Sequence, residues 1–245
     1  MKIENQIALV TGSNRGIGRA IVDALVERGV SKIYAAARNI SSLDPLVQEH
    51  GSKIVPLELD VTSESQIAEA AEKASDATVI INNAGYLDPQ DLITGDLAAA
   101  RREFEINYWG PLGITRTFTP VFKANGGGTF INLSSIAGLS NYPSLPTYSD
   151  SKAAVHSLTS GARLLLSGEG INVIGVYPGP VDTDLSKDFE MEKATPASVA
   201  NAILDGFESG ASEVFPDPMS EGYRGPYEAG QKTIENNIAQ MLQSA

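Results

Sequence analysis

Six short apolar runs, at residues 6–11, 32–37, 53–58, 78–81, 129–133 and 171–177, are separated by longer segments whose apolar residues recur at helical spacing. Runs this short, without regular polar alternation, are strands buried on both faces, and strands separated by helices are joined in parallel. The expected fold class is therefore α/β: a doubly wound, mostly parallel seven-stranded sheet of Rossmann type with helices on both faces, its last short strand at 214–215. A chain of 245 residues, 42% hydrophobic, is large enough to close one such domain over 1–245.

Several function classes are disfavoured at the outset. Cysteine is absent, which removes disulfides, thiolate metal sites and a cysteine nucleophile and fits a reducing compartment. A formal net charge of −12 without a basic block argues against nucleic acid and against anionic membrane surfaces. No apolar run approaches the roughly 18 residues of a membrane span, and the first residues lack the apolar core of a signal peptide. The expected location is cytoplasmic. His50 and His156 are the only histidines and lie far apart in sequence, so neither a catalytic histidine nor a metal site is expected.

The first strand is closed by Gly12, and Ser13-Asn14-Arg15-Gly16-Ile17-Gly18 forms a turn into a helix with an apolar stripe of Ile21, Leu25 and Val26. Strand, glycine turn and helix together make a phosphate cradle, because a missing Cβ lets backbone approach a pyrophosphate whose charge the helix N-terminus stabilises. The spacing is Gly-x-x-x-Gly-x-Gly rather than the commoner Gly-x-Gly-x-x-Gly. At the end of the second strand, where an NAD site places an acid for the ribose hydroxyls, stand Ala37 and Arg38. With no carboxylate to repel a 2′-phosphate and a guanidinium to pair with it, the expected cofactor is NADP(H). Arg15 is a candidate second charge.

Asp60 and the Asn82-Asn83-Ala84-Gly85 turn fall at strand C-terminal ends, where open α/β sheets bind ligands. Residues 96–122 read as one long helix, and Asn107 within its apolar stripe either bonds backbone or joins a polar site. Residues 147–168 carry Ala153, Ala154, Val155, Leu158, Ala162 and Leu165 at helical spacing and read as a largely buried helix. Tyr148 and Lys152 then share a face, four apart. A fixed ammonium nearby favours the phenolate of a group whose free pKa is near ~10, and a shift of roughly three units, about 4 kcal/mol, would bring it near working pH. Tyr-x-x-x-Lys is common by chance, and alone it reads equally as packing beside a solvated charge.

Taken together, the pieces resemble the short-chain dehydrogenase/reductase family from about Gln6 to about Leu185. The markers run in family order: Thr11-Gly12-x-x-x-Gly16-x-Gly18, Asp60-Val61, Asn82-Asn83-Ala84-Gly85, Asn107, Ser135, Tyr148-x-x-x-Lys152 and Pro178-Gly179-x-x-x-Thr183. The resemblance implies hydride transfer between a nicotinamide and a carbonyl carbon, with Tyr148 as proton donor and Ser135, thirteen residues before it, holding the same oxygen. It further implies that Lys152 lowers the Tyr148 pKa and bonds the nicotinamide ribose, and that Asn107 holds a water of a proton relay. Asp60 and Val61 would flank the adenine, Asn83 the ribose beside Ala84 and Gly85, and Val181 and Thr183 the carboxamide.

By the same resemblance the charged segment near 185–195 is a substrate lid, with Tyr142, Leu145, Leu185, Phe189 and Met191 as candidate apolar walls for a hydrophobic carbonyl or alcohol. Thr195 and Pro196 cap a helix to about residue 208. From about residue 216 the chain departs from the family pattern into a polar segment and a helical tail near 226–242. A homodimer or homotetramer is expected, with the helices around Trp109 and His156 as a pairing face. The leading expectation is an NADPH-dependent carbonyl reductase; the alternatives are the reverse oxidation of a secondary alcohol, or a cofactor-sensing regulator without turnover. Neither a Gly-x-Ser-x-Gly elbow nor a phosphate-loop Gly-Lys-Ser/Thr occurs, which disfavours a hydrolase and a nucleotidase.

Overall fold

The apolar runs become β1 (Ile7–Thr11), β2 (Lys32–Ala37), β3 (Ile54–Glu58), β4 (Val79–Asn82), β5 (Gly128–Leu133), β6 (Ile171–Val176) and β7 (Glu213–Val214). In this computed structural model, which describes residues 1–232 and Gln240, they form one sheet in the order β3-β2-β1-β4-β5-β6-β7. Every neighbouring pair is parallel. The strand order reverses between β1 and β4, which opens a crevice at the C-terminal ends of the strands.

Side chains alternate across the sheet and divide the core in two. On one face Ala8 and Val10 of β1 meet α1 (Gly16–Glu27), α2 (Asp44–His50) and α7 (Pro196–Ser209) through Ile21, Leu25, Leu46, Ile203 and Phe207. On the other, Leu9 and Ile80 meet α3 (Glu64–Lys73) and α5 (Gly110–Ala124) through Ile67, Ile114, Phe118 and Phe122. The long helix α6 (Pro146–Leu166) adds Ala162 to that second face. Burying one such phenylalanine fully contributes about 3 kcal/mol. Among the described residues no helix is long and apolar enough to cross a membrane.

Four expectations need correction. The helix near 41–50 begins as a 3-10 turn, Ile40–Leu43, because Asn39 caps it by accepting from Ser41 N and Pro45 then starts α2. The single helix over 96–122 is two, α4 (Leu97–Phe104) and α5, joined by a π-turn at Glu105–Trp109 where the Gly110 N–H reaches Glu105 O. Pro111 has no N–H to give the carbonyl of Asn107 four residues earlier, so the α ladder cannot run straight through and the chain widens there. The last strand is Glu213–Val214 rather than 214–215. The tail helix starts early: α8 spans Pro218–Ala229, nucleated by a capping box in which Asp217 accepts from Ser220 N and Ser220 accepts from Asp217 N. Most of the expected helix beyond residue 232 lies outside the described residues.

Candidate active site

A cleft of about 1630 Å³ runs along the C-terminal ends of the strands. That is larger than a pocket for one drug-sized molecule and suits a dinucleotide with a substrate beside it. Gly12, Asn14, Arg15, Gly16 and Ile17 line its floor at the β1–α1 turn. Gly16 has φ +55°, and a Cβ on it would come within 3.2 Å of Thr183 on the opposite wall. Gly18 lies behind the turn, where a Cβ would overlap the Gly12 carbonyl and the Asn83 amide. The turn thus presents bare backbone at a helix N-terminus, which fits a pyrophosphate.

The turn is held from β4. Asn83 Nδ2 donates to Thr11 O at 2.8 Å and Gly12 O at 3.1 Å, while Thr11 Oγ1 accepts from the N–H groups of Asn83 and Ala84 at 3.0 and 2.9 Å. The Asn83 amide nitrogen, expected along a ribose, is therefore committed to the phosphate turn. Arg38 is exposed beside the cleft with Asn39 and Ser42, after a buried Ala37. Arg15, the candidate second charge, instead pairs with Asp184 at 2.5 Å across the cleft mouth; both are well exposed, and such a pair contributes little. Asp60 uses Oδ1 on the N–H and hydroxyl of Thr62 at 2.9 and 2.8 Å, and Val61 is buried against Gly110. Asp60, Val61, Ala84, Gly85, Pro178, Gly179, Val181 and Thr183 all line the cleft.

At the far end the cleft meets α6. Pro146 in the first turn of α6 brings Tyr148 to the cleft wall, and the next turn buries Lys152. Ser135, at the end of β5, is buried with its hydroxyl 3.3 Å from Pro178 O. Lys152 Nζ donates to Leu133 O at 2.8 Å and lies 5.6 Å from the centroid of the Tyr148 ring. Asn107, in the π-turn, receives the Tyr86 N–H at 2.8 Å and donates to Tyr86 O at 2.8 Å and Ser151 Oγ at 2.9 Å. Its amide is fully engaged in tying the segment after β4 to α6, so any water it helps to hold cannot use a free Asn107 N–H.

The direction for the Tyr148 phenol is opposite to the lowering expected. Burial pushes the phenol up, the charge of Glu103 adds to this, and only the Ser135 hydroxyl opposes it. Lys152 is buried without a carboxylate partner, which lowers its own pKa to about 8.

A protein-family model described as short chain dehydrogenase matches residues 6–194. The chain belongs to that family. Its members are oxidoreductases that use NAD or NADP. A solved short-chain dehydrogenase from Burkholderia cenocepacia J2315, in complex with NADP, is 38% identical, with a TM-score of 0.88 over 97% of this chain and 99% of that one. An uncharacterized oxidoreductase of Staphylococcus saprophyticus is 30% identical over 215 residues, covering 83% of this chain and 92% of its own length. A sorbitol dehydrogenase of Cereibacter sphaeroides is 34% identical over 187 residues, 74% of this chain and 73% of its own.

In this short-chain dehydrogenase the α6 end of the cleft is walled by Tyr142, Leu145, Leu185, Phe189 and Met191, together with Met219 and Tyr223 of α8. The segment expected to be a lid opens with a 3-10 turn, Asp184–Ser186, and is tied back where Val181 pairs with Ala194. Sequence reasoning missed Met219 and Tyr223, whose polar tail gives no periodic signal. The Tyr223 hydroxyl is hydrogen-bonded to that of Tyr142. It also missed Glu103, fully buried on α4, whose one sequence signal is its place four residues before Asn107.

Both histidines have partners within the chain. His156 has its Nδ1 2.8 Å from the Tyr177 hydroxyl and its ring edge-on to Tyr177 and to Tyr227 of α8. His50 is not isolated: its Nε2 lies 2.7 Å from Asp23 Oδ1, with Glu49 adjacent. Arg19 pairs with both carboxylates.

Proposed function

We propose that this protein is an NADPH-dependent carbonyl reductase acting on hydrophobic ketones or aldehydes. What supports it above all is the meeting of Ser135, Tyr148 and Lys152 at the apolar end of a cleft whose other end is a bare-backbone phosphate cradle. Arg38, at the end of β2 with no carboxylate beside it, supports NADP over NAD, as does the NADP bound by the Burkholderia relative.

When bound, the cofactor supplies the hydride. The chain's own residues do the rest. Ser135 and Tyr148 hydrogen-bond the substrate oxygen, and Tyr148 gives its hydroxyl proton to the developing alkoxide, a stronger base than a phenolate. A phenol held protonated by burial is in the form that a donor needs. Lys152, buried with Nζ near both Gly85 and the Tyr148 ring, holds the cofactor ribose and returns a proton towards Tyr148. Asn107 fixes the wall opposite by clamping Tyr86 to α6. Copies pair as a homodimer or homotetramer through the surface where Leu97, Trp109 and Leu165 are exposed.

The test is consumption of NADPH and of NADH across a panel of ketones and aldehydes. Turnover with NADPH is expected, with a loss of at least about a hundredfold in Tyr148→Phe while NADPH still binds. Arg38→Asp should shift preference towards NADH by roughly 30-fold, the worth of one charge-assisted phosphate pair. Tight NADPH binding with no turnover on any carbonyl would overturn the reductase in favour of a sensor, and preference of the wild type for NADH would overturn the role of Arg38.

A further inference from the structure

Two buried carboxyl groups in this molecule are treated very differently. Asp217 is fully served: Oδ2 accepts from Gly179 N at 2.8 Å and Oδ1 from Ser220 N at 2.9 Å. Glu103 is 0% exposed, yet only Oε1 has a partner, the Asp88 N–H at 3.0 Å. Its Oε2 is buried with no hydrogen bond, and so is the hydroxyl oxygen of Thr147, the residue before Tyr148. No lysine or arginine pairs with Glu103 among the described residues. The titratable groups that act on it or feel it are Tyr86 and Asp88 from the segment after β4 and Tyr148 and Asp150 from α6.

An unpaired carboxyl is costly to bury, and a leucine would fill the space without that cost. Its position says what it does there. Glu103 is linked to the segment after β4 by Asp88 N and borders the first turn of α6 at Thr147, the two walls between which Tyr148 works. The π-turn that follows sets Asn107 four residues on, clamping the same two walls.

We propose that Glu103 is a positioning residue for Tyr148, anchored to the segment after β4 through Asp88 N and setting an unpaired buried carboxyl against the turn that carries the tyrosine. The proposal rests on Tyr148 being the proton donor. Burial disfavours the charged carboxyl and raises its pKa, with the Asp88 N–H opposing. A negative charge there keeps Tyr148 protonated and extends the pH range over which it donates.

The test compares wild type, Glu103→Gln and Glu103→Leu, each with and without Tyr148→Phe. Two readouts are followed: the near-ultraviolet absorbance of the Tyr148 phenolate against pH, and the pH profile of kcat for NADPH-dependent reduction. Glu103→Gln keeps the length and the acceptor for Asp88 N but removes the charge. It should raise the Tyr148 phenolate fraction at a fixed alkaline pH about tenfold, one pH unit, and move the upper limb of kcat down with it. The KM for NADPH should stay unchanged. Glu103→Leu, which also loses the bond to Asp88 N, should lower kcat further, with Glu103→Gln restoring the neutral-pH rate. If the Glu103→Gln titration and profile superimpose on those of the wild type, the proposal is overturned. A phenolate shift in a wild type that reduces no carbonyl would sink the reductase and leave the role of Glu103 standing, since absorbance needs no turnover.

Discussion

The two ends of the cleft are built from different materials. At the β1–α1 turn the surface is main chain: glycines strip the side chains away, and Thr11 and Asn83 direct their polar atoms into the backbone behind the turn. At the α6 end the surface is side chains: Tyr142, Leu145, Tyr148, Phe189, Met191 and Tyr223, drawn from three separate stretches of sequence. A ligand held by backbone is recognised through features every such ligand shares, phosphates above all. A ligand held by side chains is recognised through features that a single substitution alters. One cradle can therefore serve many relatives while the opposite wall changes.

The contrast is easiest to break at the glycine end. Gly18→Ala should destabilise the fold by about 3 kcal/mol and abolish cofactor binding, because the new Cβ meets the Gly12 carbonyl and the Asn83 amide at once. Thermal unfolding with and without NADPH reads both effects. A variant that keeps its melting temperature and its NADPH affinity would show that the cradle tolerates side chains after all.

Lys152 tests the other end through pH. Its pKa of about 8 in the folded chain lies below the 10.5 of an ordinary lysine. The unfolded chain thus binds a proton that the folded one resists. The penalty is full below pH ~8, shrinks as pH rises, and vanishes above ~10.5, amounting to about 3 kcal/mol. Lys152→Met should accordingly stabilise the protein at neutral pH, by about 2 kcal/mol once the lost bond to Leu133 O is deducted, and lose that advantage in strong alkali. Activity should vanish in the same variant. A neutral-pH melting temperature below wild type would show that the lysine is bound more favourably than its surroundings imply. The smallest effect is expected of Tyr223→Phe, which removes the partner of the Tyr142 hydroxyl and leaves the wall apolar. The KM for a carbonyl substrate should change severalfold while the KM for NADPH does not.

Legibility in the sequence follows the same division. The strands, their parallel order and the cradle stand out because backbone-built features leave short, position-bound patterns: an apolar run, a glycine, a helix. Arg38, Asp60 and Gly85 are legible as strand-end residues for that reason. The far wall is assembled by contacts between distant segments, and no local periodicity announces it. Glu103 follows Arg101 and Arg102 and looks like part of a solvated charge run, until the turn of α4 places it on the face of Asn107. His156 sits on a helix that looks free to pair outward, and its contact with Tyr227 comes from α8, in the segment with the least pattern. The direction of the Tyr148 shift was hidden for a physical reason: four-residue spacing brings a lysine near a tyrosine but says nothing of how little water surrounds the two.

The π-turn at Glu105–Trp109 has one more consequence. It lets an extra residue into a helix that would otherwise run straight, so the chain on either side is offset by one residue, about 100° of rotation. Taking out a single residue between Phe104 and Gly110 would restore an unbroken helix and swing either Glu103 or Ile114 and Phe118 away from its neighbours. A change of length in this stretch cannot be absorbed. The working alignment of the site is stored there as a count.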